Sequence, residues 1–213
     1  MSKKLISTSF LSSKNIIRDL KKLNETDTDF IHLDIMDGKF VKNKTMPFRE
    51  MKHIYKYTSK RLDVHLMVRD VEKYIPLYAT LNVEYMTFQL EIDKDIEENL
   101  ELIKSYSIKS GLAISPNTKV KELVPYLPLL DIILVMSVEP GTGGQEFIVE
   151  TKDKLHELKT LLKGYNSKAV IAVDGGIDDN TKDYCKDADI LVAGSYIVLP
   201  SDSDFNEKIN SLR

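Results

Sequence analysis

Residues 132–136 read Ile132-Ile133-Leu134-Val135-Met136, an unbroken apolar run that ends at a polar, glycine-containing stretch. Such a run is typical of a parallel strand whose two faces are both covered. Similar short runs recur along the chain, and their starts lie about 20–37 residues apart, which leaves room for a crossover helix each time. The predicted strands are Leu5–Ser9, Phe30–Asp34, Leu62–Leu66, Tyr85–Phe88, Ser110–Ile114, Ile132–Met136, Ala169–Val173 and Ile190–Ala193.

Amphipathic stretches lie between these strands. Apolar residues recur in them at steps of three and four, as they do on one face of a helix. The predicted helices are Lys14–Leu23, Val71–Leu81, Ile96–Tyr106, a short Val120–Val124 that stops before Pro125, Phe147–Leu162 and Ser201–Leu212.

Eight strand–helix units without a break in composition predict an α/β fold, a single (β/α)8 TIM barrel, with residues 1–213 forming one domain. A doubly wound open sheet is the alternative. That fold usually places a glycine-rich phosphate loop after its first strand, but residues 7–11 read Ser-Thr-Ser-Phe-Leu.

Composition limits the partners and the compartment. The net charge of −3 gives no reason to expect nucleic acid or an anionic membrane as a partner. No apolar stretch approaches the length of a membrane span, and no signal peptide follows Met1. Cys185 is the single cysteine, so no disulfide forms within the chain, which favours a reducing cytoplasm; we interpret Cys185 as a small residue on a helix.

Acids and histidines gather where predicted strands end, which is where the active site of a β/α barrel lies. His32 and Asp34 are two residues apart and therefore face the same side of a strand, as do Asp63 and His65, while Asp174 ends the seventh strand. Buried groups of this kind need partners, so they predict a divalent metal site. A hydrogen-bonded His–Asp network without metal is the alternative.

The remaining acids and histidines receive structural interpretations. Asp37, before Gly38, is interpreted as a turn former, and Asp63 as a residue that orients a ligand from behind. His53 and His156 fall on helices and are expected at the surface.

Three glycine-containing loops follow the last three strands. Glycines let backbone N–H groups approach phosphate oxygens, and the loops after strands seven and eight form the usual phosphate site of such barrels. No lysine or arginine lies in these loops, so we expect backbone dipoles to bind the anion. Three methionines, Met36, Met67 and Met136, lie at strand ends and are interpreted as an apolar wall beside a planar intermediate.

With these motifs the chain resembles the ribulose-phosphate 3-epimerase family over Ser9 to Ile197. The matching motifs are His-Leu-Asp-Ile-Met-Asp-Gly (32–38), Leu-Asp-Val-His-Leu-Met-Val (62–68), Met-Ser-Val-Glu-Pro-Gly-Thr-Gly-Gly-Gln (136–145), Val-Asp-Gly-Gly-Ile (173–177) and Ala-Gly-Ser (193–195).

The resemblance implies a metal-dependent epimerase that interconverts D-ribulose 5-phosphate and D-xylulose 5-phosphate through an enediolate. It implies one divalent ion, usually zinc with iron, manganese or cobalt as alternatives, and a homo-oligomer. The implied catalytic acid–base pair is Asp34 and Asp174, and the implied metal ligands are His32, Asp34, His65 and Asp174. The implied substrate-binding residues are Ser9, His65, Gly141, Thr142, Gly143, Gly144, Asp174, Gly175, Gly176, Gly194 and Ser195.

The chain departs from the family pattern at three positions. Thr8 replaces a usual proline, Thr142 a usual aromatic residue, and Gln89 a usual histidine. These departures bear on affinity and local shape, whereas every implied metal ligand and acid–base residue is present.

Other functions remain open. Epimerisation of a hexulose phosphate such as D-allulose 6-phosphate would use the same machinery, and a non-catalytic sugar-phosphate-binding barrel is a further alternative. A decarboxylase, an aldol synthase or a Schiff-base aldolase would need a lysine at a strand end, and no predicted strand ends in one.

Overall fold

The computed structural model describes residues 3–92 and 94–213 and contains a closed barrel of eight parallel strands in sequential order. The predicted (β/α)8 TIM barrel is confirmed, whereas the assignment of all of 1–213 to one domain stays a prediction. Met1 and Ser2, where no signal peptide is expected, lie outside the described residues. The strands are β1 Leu5–Ser9, β2 Phe30–Met36, β3 Arg61–Met67, β4 Val83–Gln89, β5 Lys109–Ile114, β6 Ile132–Met136, β7 Val170–Asp174 and β8 Ile190–Ala193.

The helices pack outside the barrel, and most of those predicted are present with shorter bounds. They are α1 Ile16–Asn24, α2 Phe48–Ile54, α3 Val71–Tyr78, α4 Ile96–Ser105, α5 Thr151–Gly164, α6 Ser195–Val198 and α7 Phe205–Ser211. Helices α2 and α6 were not predicted, because each is too short to complete an amphipathic pattern.

Three predicted helices have the wrong bounds. The segment predicted as Val120–Val124 is a 3-10 helix over Val120–Leu129 that runs through two prolines. Short 3-10 turns tolerate proline better than an α-helix, where it removes an i→i−4 bond. The predicted Phe147–Leu162 begins only at Thr151. The predicted Ser201–Leu212 begins at Phe205, because the Asp204 side chain accepts hydrogen bonds from the next N–H groups and caps the helix.

Alternation along the strands separates the core from the site. In β2, Leu33 and Ile35 belong to the main core cluster, while His32 and Asp34 point to the opposite side, into the barrel. The register pairs Asp34 with His65 and His32 with Asp63. Neighbouring strands therefore bring these four polar side chains together inside the barrel.

Cys185 is fully buried and lies in a 3-10 segment, Lys182–Cys185, rather than an α-helix. Burial raises the pKa of its thiol to about 12, which makes it a packing residue and a poor nucleophile. Within 3–92 and 94–213, no helix has the length and apolar character needed to cross a membrane.

Candidate active site

Four side chains from three strands converge inside the barrel mouth. Nδ1 of His65 lies 3.3 Å from Oδ1 of Asp34, and Nε2 of His32 lies 3.3 Å from the same oxygen and 3.9 Å from Oδ2 of Asp174. One potential ligand atom from each of the four lies within 4.8 Å of all the others. The four predicted metal ligands are thus neighbours in space, although Asp174 is 109 residues from His65 in sequence.

Asp63 contacts the ring nitrogen of His32 that faces away from Asp34 and Asp174. Its Oδ2 lies 2.8 Å from Nδ1 of His32 and accepts a hydrogen bond from the Ser7 hydroxyl at 2.9 Å. A protonated Nδ1 leaves the lone pair on Nε2, which faces the other carboxylates. The expected orienting contact of Asp63 is therefore present.

The ring nitrogen Nε2 of His32 has no hydrogen-bond partner among the described residues. It is fully buried and makes no hydrogen bond to any described residue, despite its proximity to two carboxylates. Such an atom is costly unless a group occupies the space before it. Two histidine nitrogens and two carboxylates around this space form a donor set suited to a divalent cation such as zinc.

The two candidate catalytic acids differ in their electrostatics. Burial disfavours the charge of Asp34, but the charge of His32, together with the hydrogen bond and charge of His65, outweighs burial and holds the pKa of Asp34 far below its usual value. Burial and the nearby Asp34 charge instead raise the pKa of Asp174 to about 7. In the metal-free protein, the pair therefore combines an ionised Asp34 with an Asp174 that is about half protonated near pH 7.

The pKa of His32 is also perturbed. Burial lowers it, but the negative charges of Asp63 and Asp34 outweigh burial and raise the pKa of His32 well above its ordinary value. Without a cation, these carboxylates thus favour a proton on His32.

A cavity opens from the acid pair toward the glycine loops. Ser9 lines this cavity, and its hydroxyl donates a hydrogen bond to Asp34 at 3.2 Å. The Ser137 hydroxyl donates to the backbone carbonyls of Asp174 and Gly175 at 2.8 and 2.6 Å, which fixes the backbone at the end of β7. No lysine or arginine of the described chain lines this cavity. The predicted substrate-binding residues that line it are Ser9, Gly141, Thr142, Gly143, Gly144, Asp174, Gly175, Gly176, Gly194 and Ser195, whereas the predicted contact His65 is not among the lining residues.

The three methionines are buried beside the acids. Met67 and Met136 line the same cavity as Asp34 and Asp174, and Met36 lines an adjoining one that shares Asp34. The cavity around Asp34 and Asp174 therefore has apolar, polarisable side chains in its walls.

Two contacts were not predicted from the sequence. The Asn43 amide, in the loop after β2, donates to the Gly141 carbonyl at 2.8 Å and to the Thr142 hydroxyl at 3.2 Å. Gln89 was recognised as a departure, but not as a neighbour of His65, whose Nε2 lies 3.0 Å from Nε2 of Gln89. The residue types alone carried no signal for either contact, since both depend on which loops and strands meet.

The other predictions concern residues outside the site. The Asp37 side chain accepts hydrogen bonds from the N–H groups of Lys39, Phe40 and Arg69, which confirms it as a turn former. His53 is exposed on α2, and His156 is exposed on α5, where it faces Asp187 at 3.0 Å.

Solved structures with a similar fold are distant in sequence. A tryptophan synthase chain from Mycobacterium tuberculosis superposes with a TM-score of 0.70 at 13% identity, covering 98% of this chain and 91% of that one. A thiamine phosphate pyrophosphorylase from Pyrococcus furiosus gives a TM-score of 0.64 at 17% identity, covering 99% and 93%. At this identity the likeness supports the barrel fold alone.

Sequence comparison identifies much nearer relatives. The ribulose-phosphate 3-epimerase of Chlamydia pneumoniae is 37% identical over 201 residues, which cover 92% of this chain and 87% of the relative. That of Bacillus subtilis strain 168 is 32% identical over 212 residues, covering 98% and 95%. The profile of the Ribulose-phosphate 3 epimerase family matches residues 4–198. The chain that carries this acid pair and this His–Asp cluster belongs to the ribulose-phosphate 3-epimerase family.

Proposed function

We propose that this protein is a metal-dependent epimerase that interconverts D-ribulose 5-phosphate and D-xylulose 5-phosphate by moving a proton at C3. Family membership makes it an isomerase-class enzyme. The observation that carries the proposed mechanism is the acid pair, Asp34 and Asp174, which share one cavity and have pKa values shifted in opposite directions.

Inversion next to a ketone needs a base on one face of the substrate and an acid on the other. The ionised Asp34 is suited to remove the C3 proton, and the protonated Asp174 is suited to return one to the opposite face. In the reverse direction the two residues exchange roles.

A divalent cation is proposed between His32, Asp34, His65 and Asp174. The unpartnered Nε2 of His32 and the mixed nitrogen and oxygen donors support this assignment. When bound, such a cation acts as a Lewis acid that stabilises the negative charge of an enediolate. We propose zinc, with iron, manganese or cobalt as alternatives, because this donor set suits several of these ions.

The substrate phosphate is proposed to lie against the glycine loops 141–144, 175–176 and 194–195. Their shared cavity with the acid pair supports this placement, and anchoring a remote phosphate orients the reacting carbon. Ser9 and His65 are proposed to contact the sugar. Met36, Met67 and Met136 are proposed to wall the planar enediolate.

We also propose that the protein works in the cytoplasm as a homo-oligomer. The single, buried Cys185 fits a reducing cytoplasm, and the family resemblance is the basis for a homo-oligomer.

The decisive experiment follows substrate hydrogen exchange in deuterated water. The wild type should convert ribulose 5-phosphate to xylulose 5-phosphate and incorporate deuterium at C3. Asp34→Asn and Asp174→Asn should each lower epimerisation by about 10²–10⁴-fold, whereas Asp187→Asn, a surface acid, serves as the control. Wild-type turnover in either active-site variant would refute the two-carboxylate mechanism. Faster turnover of allulose 6-phosphate would reassign the substrate, and no turnover of either sugar would leave a binding protein.

A further inference from the structure

The last residue of β4, Gln89, lies between the metal cluster and the loop after β5. It is fully buried. Its Nε2 lies 3.0 Å from Nε2 of His65, and its Oε1 accepts from the Ser115 hydroxyl at 3.4 Å. A buried carboxamide must satisfy both ends, so these two contacts define what Gln89 does.

The two histidines of the cluster present opposite ring nitrogens to it. His32 points Nε2 inward and Nδ1 toward Asp63, whereas His65 points Nδ1 toward Asp34 and Nε2 toward Gln89. A neutral imidazole has one N–H and one lone pair, and the group behind the ring decides which nitrogen carries the hydrogen. Asp63 makes that choice for His32, and Gln89 is placed to make it for His65.

The Gln89 carboxamide can take two orientations, and each places the ring hydrogen of His65 on a different nitrogen. With the amide nitrogen toward His65, Gln89 donates to Nε2, so Nδ1 carries the ring hydrogen and faces Oδ1 of Asp34 at 3.3 Å. After a half-turn of the amide, its oxygen accepts from Nε2–H and the lone pair lies on Nδ1, where a cation can bind. The amide nitrogen then donates to the Ser115 hydroxyl, so both ends stay satisfied.

Ser115 is held firmly enough to serve both arrangements. Its N–H donates to Glu91 at 2.7 Å, and its carbonyl accepts from the Lys154 ammonium at 2.8 Å. The hydroxyl therefore stays beside Gln89 while its own hydrogen turns to donate or accept.

We propose that Gln89 is a positioning residue whose carboxamide oxygen selects the metal-binding tautomer of His65. The inference rests on the proposed metal centre and deepens it. It assigns Gln89 the role toward His65 that Asp63 has toward His32, with a neutral amide in place of a carboxylate.

The test measures zinc affinity by competition with a chromophoric chelator in three forms of the full-length protein. Gln89→Met keeps the side-chain length but removes the acceptor, and we expect it to weaken zinc binding by about 10–100-fold. Gln89→Glu keeps an acceptor, so its affinity for zinc should fall by no more than about threefold relative to the wild type. The visible spectrum of the cobalt-loaded protein should change in Gln89→Met and persist in Gln89→Glu.

A second measurement needs no variant. In long-range ¹H–¹⁵N spectra of the zinc-loaded wild type, His65 should carry its hydrogen on Nε2 and His32 on Nδ1. Only four histidines contribute, and His53 and His156 are exposed. This spectrum decides the question if Gln89→Met does not fold.

The outcomes separate this inference from the proposed function. Zinc binding in the wild type with equal affinity in Gln89→Met, or a His65 hydrogen on Nδ1 in the zinc-loaded protein, would overturn the role of Gln89 alone. A wild type that binds zinc but does not epimerise the sugar would refute the proposed reaction. The role of Gln89 would then still be tested by the ratio of zinc affinities between the wild type and Gln89→Met. A wild type that binds none of zinc, iron, manganese and cobalt would overturn both.

Discussion

Two glycines of the proposed phosphate site allow a matched test of how tightly its loops are packed. Gly144 and Gly176 line the same cavity and both have left-handed backbone, with φ of +74° and +64°. A Cβ added at Gly144 would meet nothing within 4 Å, whereas one at Gly176 would lie 2.6 Å from the backbone nitrogen of Phe147 and 3.0 Å from the carbonyl oxygen of Gln145. Alanine would therefore have similar backbone strain at the two positions but far less space at the half-buried Gly176 than at the exposed Gly144.

The expected energies follow from this difference. Alanine in the left-handed region costs roughly 1–2 kcal/mol at either position. At Gly176 the overlap is with backbone, which cannot rotate away, and overpacking of this kind adds about 1–3 kcal/mol. At about 3 °C per kcal/mol for a chain of this size, Gly176→Ala should melt roughly 3–9 °C below Gly144→Ala.

The assay is calorimetric melting of both variants at fixed concentrations of metal and phosphate. The relief of overlap at Gly176 would push the loop after β7 away from Gln145 and Phe147, so the KM for sugar phosphate should rise more in Gly176→Ala than in Gly144→Ala. Equal melting temperatures for the two variants would refute the packing argument.

Three further predictions concern the acids and the loop after β2. In the metal-free protein, the pKa of Asp174 is raised from 3.8 to about 7, so the folded state binds more protons than the unfolded state between these values and loses stability as pH rises through them. Calorimetry should show a flatter melting profile for metal-free Asp174→Asn between about pH 5 and 8, and a higher melting temperature than wild type at the upper end; parallel profiles would contradict the assigned shift. Asp63→Ala frees the His32 ring and should weaken zinc binding by about 10–100-fold in chelator competition, an expectation that fails if affinity is unchanged. Asn43→Ala removes the hydrogen bonds to Gly141 and Thr142, so steady-state assays should find a raised KM for sugar phosphate with kcat within a few-fold of wild type; a fall in kcat alone would mean that Asn43 does not act by holding the phosphate loop.

The sequence alone was enough to predict the barrel and the cluster of histidine and aspartate side chains inside it. Strands are encoded locally, by short β-branched runs, and their two-residue alternation already places His32 with Asp34 and Asp63 with His65. The rule that barrel sites lie at the carboxyl ends of strands then links Asp174 to these residues. The predicted bounds of the helices were less accurate, because helix ends depend on caps and packing. The segment predicted as a helix over Val120–Val124, for example, is a 3-10 helix over Val120–Leu129.

The roles within the cluster required the tertiary structure. Asp63 and Asp34 are both strand acids beside histidines, and only the register between β2 and β3 turns Asp63 behind His32 while Asp34 faces the centre. Gln89 reaches His65 because β4 ends beside β3, and Asn43 reaches Gly141 across 98 residues because two loops meet above the barrel. Local periodicity fixes which face of a strand a side chain occupies, but the partner of a buried polar group is set by strand register and loop packing, which arise only when the barrel closes.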